Sequence, residues 1–88
     1  MMLEHGPYRH YKGGTYTVLF LAERHTHNGD MDVVYISHDH CGQFRTRPLK
    51  RDSRDEDSWL DEIVWPDGKK RARFMPVQSL VHEGFTFS

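Results

Sequence analysis

Only one cysteine, Cys41, occurs in this sequence, so no internal disulfide can staple the 88-residue chain. That usage fits a reducing compartment. Long apolar runs are absent as well: the longest, residues 18–22, is far too short to cross a bilayer. The N-terminus lacks the basic start and apolar stretch of a secretory signal, so a cytoplasmic location without membrane contact is expected. No internal repeat or low-complexity tract is visible. No phosphate-cradling glycine loop, serine elbow or paired-carboxylate motif occurs either, which leaves no standard catalytic machinery to assign. The expectation is a non-enzymatic protein that needs no cofactor.

Charge of one sign does not dominate. The formal net charge of −1 argues against a protein that coats nucleic acid indiscriminately. The charges are nevertheless sorted along the chain. Arg45, Arg47, Lys50, Arg51 and Arg54 crowd residues 43–54 against Asp52 alone. Residues 55–67 carry Asp55, Glu56, Asp57, Asp61, Glu62 and Asp67 without a cation, and Lys69, Lys70, Arg71 and Arg73 then reverse the sign. A local positive patch is compatible with a near-neutral total.

What is present reads as β-structure in one domain, residues 1–88, with an ordered core over about 6–77 and a mixed tail over 78–88 that is expected to fray. Alternation over 8–12 suits a short strand ended by Gly13-Gly14, and β-branched and aromatic residues fill 15–25. Asn28-Gly29 is the strongest hairpin signal and predicts a two-residue turn, returning through a strand over 31–38. Residues 43–47 form the next strand, stopped by Pro48. Ser58 and Asp61 suit one helical turn, and Ile63-Val64-Trp65, the turn Pro66-Asp67-Gly68 and residues 71–77 form a second hairpin. The expected fold is mainly β: a small SH3-like barrel or half-barrel of five to six short antiparallel strands, with an OB-like barrel as the alternative.

These residues also carry a resemblance. Gly6-Pro7-Tyr8-Arg9-His10-Tyr11-Lys12-Gly13, followed by Tyr16-Thr17-Val18-Leu19, resembles the opening signature of the bacterial and phage family called domain of unknown function 1653. Val33-Val34-Tyr35, Arg47-Pro48-Leu49, Asp67-Gly68 and Arg73-Phe74 follow in the family's order. The chain departs from it at His25-Thr26-His27 and at Arg45-Thr46. The resemblance implies a small stand-alone module and carries no activity with it.

Three constellations could carry chemistry. Seven histidines include the pairs His25/His27 and His38/His40, the second beside Cys41. Residues i and i+2 of a strand share a face, so each pair could chelate a metal. A turn centred on Asn28-Gly29 makes cross-strand numbers sum to 57 and holds the two pairs roughly 20 Å apart. His38, His40 and Cys41 alone lack the second well-spaced pair of a zinc site, so no metal is expected. His40 and Cys41 point to opposite faces of a strand, which makes a poor nucleophile and base. The third constellation interleaves aromatics with cations: Tyr8, Arg9, Tyr11 and Lys12, joined in space by Arg45 and Arg47. That mixture suits base stacking with phosphate contact, against the plainer reading of core tyrosines beside solvated cations. The expected partner is a nucleic acid or nucleotide bound on this face. The alternative is an adaptor that meets a protein partner through its acidic loop and exposed aromatics.

Overall fold

The computed structural model describes residues 3–23, 30–39, 43–50 and 57–87. Strands β1 (Gly6–His10), β2 (Thr15–Glu23), β3 (Met31–Ser37), β4 (Phe44–Pro48) and β7 (Phe74–Pro76) form a five-stranded antiparallel sheet in the order β4-β3-β2-β1-β7. Strands β5 (Glu62–Val64) and β6 (Lys70–Ala72) pair separately, and one helix, α1 (Val77–Glu83), follows β7. The mainly β expectation holds. The sheet is open, as in a half-barrel, and does not close into a full barrel.

Side-chain alternation sorts the sheet into two faces. Tyr8 lies opposite Tyr16, Val18 opposite Tyr35, Tyr16 opposite Ser37, Val33 opposite Arg47 and His10 opposite Phe74. These residues therefore share the inner face, where Tyr8, Val18, Val33, Tyr35 and Phe74 join Leu49 and Trp59 as the core. Trp59 is delivered by the segment after β4 and is held by its N–H on the Pro48 carbonyl at 2.8 Å. Its ring lies flat on Phe74 at 3.8 Å and meets Tyr8 edge-on at 5.3 Å. In a chain this short, such aromatic packing supplies much of the apolar burial.

A β-bulge interrupts β2. Val18 pairs with Tyr35, yet Phe20 pairs with Val34, leaving Leu19 as the extra residue. The inserted residue turns Leu21 inward against Val33 and sends Phe20 outward, where it is 56% exposed. The run Val18-Leu19-Phe20-Leu21 is apolar on both sides for this reason. The bulge also changes the register: partners sum to 54 at Glu23 and Met31 and to 53 at Val18 and Tyr35. The sum of 57 expected from an Asn28-Gly29 turn is thereby corrected. Asn28, Gly29 and the pair His25/His27 lie outside the described residues.

The strand expected over 71–77 is two strands. Arg73 separates them, because its backbone N–H bonds the Asp61 carbonyl at 2.7 Å while its carbonyl accepts from Tyr11 at 3.2 Å. Its guanidinium is buried against the Ser58 carbonyl (3.1 Å) and the Asp61 carboxylate (3.5 Å). Ser58 donates to the Asp61 carboxylate from its backbone N–H at 3.1 Å and from its hydroxyl at 2.5 Å, closing a non-helical turn where the sequence suggested a helical one. Beyond Val77 the chain is helical, with Leu80 fully buried and Gly84 in the left-handed conformation that ends the helix. Arg71 clamps this helix to the β5–β6 hairpin. It binds Asp67 through two bonds of 3.0 and 2.9 Å and Glu83 at 2.9 Å, with Trp65 and Phe85 beside it. No helix among the described residues is long and apolar enough to cross a membrane.

Candidate functional site

One end of the sheet gathers the polar members of the inner face. His10 ends β1, Ser37 ends β3 and Asp39 follows it; Arg45 and Arg47 lie on β4, and Phe74 opens β7. With Tyr16 and Tyr35 they line a cavity of about 250 Å³. Its aromatic walls brace one another edge to face: Tyr16 meets Tyr35 at 5.6 Å and Phe74 at 5.4 Å, and His10 meets Phe74 at 4.8 Å. The Arg47 guanidinium lies 5.4 Å from the Phe74 ring centre. Its Nη1 donates to the Asp57 carbonyl at 3.5 Å, the outer limit for such a bond. Its Nε is buried with no hydrogen-bond partner among the described residues. Arg45 is exposed and donates to the Gln43 amide oxygen at 3.4 Å.

A second cavity, of about 480 Å³, adjoins the first and shares His10 and Asp39 with it. It is bounded by the β1–β2 turn, residues 11–14, and by Trp65, Pro66, Phe85 and Thr86. The turn is closed by the Gly13 N–H on the His10 carbonyl at 2.8 Å. Gly13 and Gly14 adopt φ of 98° and 90°, which side chains with a Cβ rarely take. Lys12 stands exposed on this turn, its ammonium 5.7 Å from the Tyr11 ring centre.

His10 reports the electrostatics at the junction. Burial first, then the nearby positive charges of Arg47, Arg73 and Lys12, lower its pKa to about 4. The ring is therefore neutral at pH 7. Its Nδ1 accepts the Lys12 backbone N–H at 3.2 Å, which leaves the proton on Nε2 as a donor. A pH dependence follows. Between about pH 6.5 and 4 the unfolded chain binds a proton at His10 that the folded chain refuses, so stability falls as pH drops through this window. Discounted for the ring's partial solvent screening, the loss is about 1–2 kcal/mol. Urea unfolding at pH 7.5 and pH 4.5 should show His10→Gln losing less stability than the wild type by this amount; equal losses would contradict it.

The six residues singled out from the sequence are distributed rather than joined in one face. Tyr8 is a core residue, 2% exposed, its hydroxyl donating to the Glu4 carbonyl at 2.8 Å. Burial raises its pKa to about 12. Arg9 alternates to the outer face, opposite Thr15 and Met75, and lies 5.6 Å from the Phe87 ring centre. Arg9, Tyr11 and Lys12 line the larger cavity, whereas Arg45 and Arg47 line the smaller. Sequence reasoning missed His10, Tyr16, Tyr35, Ser37, Asp39 and Phe74 as members of the site. The available signal was the i, i+2 spacing of Tyr8/His10 and Tyr35/Ser37 on strands already recognised. Of the metal candidates, His38 is exposed and its Nε2 lies 2.7 Å from the Thr17 hydroxyl; His40 and Cys41 lie outside the described residues. Among the described residues no three His, Cys, Asp or Glu side chains group as metal ligands would.

Fold and site together define a small open-sheet β module with an aromatic-walled, arginine-flanked pocket at one end of its sheet. The chain belongs to the DUF1653 family, proteins of unknown function, whose model matches residues 6–76. A crystal structure of a DUF1653 protein from Bordetella bronchiseptica is similar to it, with 31% sequence identity and a TM-score of 0.59 over 83% of this chain and 85% of that one. No curated protein matches the chain.

Proposed function

We propose that this protein is a non-catalytic binding module for an anionic, base-containing ligand, a nucleotide or nucleic acid. The ring of the ligand enters the 250 Å³ cavity, and its phosphate meets Arg45 at the rim. The observation that carries this reading is the aromatic-walled cavity itself, flanked by the guanidinium groups of Arg45 and Arg47. Two arginines against the single carboxylate of Asp39 set a positive balance, which disfavours a cationic guest in the aromatic box.

Titration with nucleoside monophosphates, followed by intrinsic tyrosine and tryptophan fluorescence, tests the reading. Saturable binding is expected, weakening as salt rises, and Arg45→Ala should weaken it about tenfold, the worth of one charge-assisted bond. Absence of saturable binding across the panel would sink the proposal. A second reading, docking of a protein partner, is favoured by the outer face, where Phe44 is 72% and Phe20 56% exposed. Binding there would respond weakly to salt and would be indifferent to Arg45.

A further inference from the structure

We infer that the ligand is a single-stranded nucleic acid laid across both cavities, rather than a free nucleotide; this rests on the base-binding reading of the smaller cavity. The two cavities are neighbours that share His10 and Asp39 in their walls, so a chain leaving one is at the edge of the other. An exposed cation stands on each: Arg45 on the smaller and Lys12 on the larger, neither in an ion pair among the described residues. A cation beside each of two neighbouring cavities matches a repeating phosphate backbone better than it matches one terminal phosphate.

Asp39 fixes what lies between them. Its carboxylate repels phosphate and accepts hydrogen bonds, so the edge of a base, with its N–H groups, faces the junction while the phosphates lie toward Arg45 and Lys12. The neutral His10 ring, with its proton on Nε2, adds a donor at the same point. At about 250 Å³ the first cavity lies just below the size range that encloses a drug-sized molecule, so it takes one ring system and leaves the sugar and backbone outside. A base can reach such a cavity only out of a duplex stack, which selects single strands, loops or ends.

The test measures anisotropy of labelled single-stranded DNA and RNA hexanucleotides of mixed sequence, in competition with nucleoside monophosphates and with a duplex of the same sequence. At least one of the single strands should bind ten times more tightly than any monophosphate, and the duplex should compete poorly. The better-bound sugar identifies the source of the strand. Lys12→Ala should reduce the slope of log affinity against log salt by about 0.7, the share of one single-strand phosphate contact. Equal affinity for strand and monophosphate would overturn the inference and leave the base pocket standing, as would preference for the duplex. If neither monophosphate nor strand binds, the base-pocket reading falls with it.

Discussion

Arg47→Met is expected to cut nucleotide affinity at least tenfold while leaving the melting temperature unchanged or higher. The two halves of that result have one origin. Arg47 enters the inner face of the sheet opposite Val33, a fully buried position, and its Nε loses water without gaining a partner among the described residues. That loss costs the fold about 1–3 kcal/mol. Against it stand a bond to the Asp57 carbonyl at the limit of useful length and a ring contact with Phe74, the second worth about 0.5–1 kcal/mol. Methionine keeps the long apolar stem and removes the unsatisfied donor, so the fold does not suffer. A ligand that relied on the guanidinium does. A structural arginine behaves in the opposite way: its removal would lower the melting temperature by about 4–8 °C per kcal/mol in a domain of this size and leave binding intact. Thermal melts and a monophosphate titration on the same two proteins separate the cases. A destabilised variant that binds normally would remove Arg47 from the site.

How much of this could be read in the sequence follows from which interactions are local. Strand positions were legible because β-branched and aromatic residues cluster between glycine and proline breaks. The observed β2, β3 and β4 fall within two residues of the expected segments. The register was not legible, since a bulge at Leu19 leaves no compositional mark and the pairs on either side of it sum to 54 and 53 rather than 57. That error matters for function. A sum of 57 sets Tyr35 opposite Ala22, whereas the true register sets it opposite Val18, two pairs along and on the same face as Tyr16, which is what builds the aromatic wall. The cations Arg45 and Arg47 were visible as an i, i+2 pair on one strand. Their convergence with His10 and Phe74 depends on β7 returning to pair with β1 from more than sixty positions away. The strand break at Arg73 was hidden for a related reason: only the tertiary bonds to Asp61, Ser58 and Tyr11 pull that residue out of line. Helix α1 escaped notice because it spans seven residues, has no side-chain cap and no acid in its first turn, and buries a single leucine, Leu80.

The aromatic wall joins the site to the stability of the fold, and Phe74 is where the two meet. One side of its surroundings is the buried Trp59 ring, stacked at 3.8 Å and nearly parallel at 6°. The other is the cavity, which it lines with Tyr16, Tyr35 and His10. Phe74→Ala should therefore destabilise the protein by about 3–5 kcal/mol, the usual cost of deleting a buried phenyl ring. A domain of this length has on the order of 4–13 kcal/mol in total, so the loss takes a large part of the whole and leaves some of the chain unfolded at 37 °C. Urea denaturation gives the value directly, and a loss below about 1 kcal/mol would mean that Trp59 and Tyr35 collapse into the space and that the packing is not what holds this end together. Phe74→Leu separates folding from binding. It retains most of the apolar volume at a cost of about 1.5 kcal/mol or less, plus the aromatic contribution of about 0.5–1.5 kcal/mol, so the fold survives. The ring beneath the Arg47 guanidinium is gone, however, and a ligand that relied on that guanidinium being held in place would bind more weakly, by roughly the 0.5–1 kcal/mol of the lost cation–ring contact. A folded Phe74→Leu protein with unchanged nucleotide affinity would show that the ligand does not depend on the contact between Arg47 and this ring.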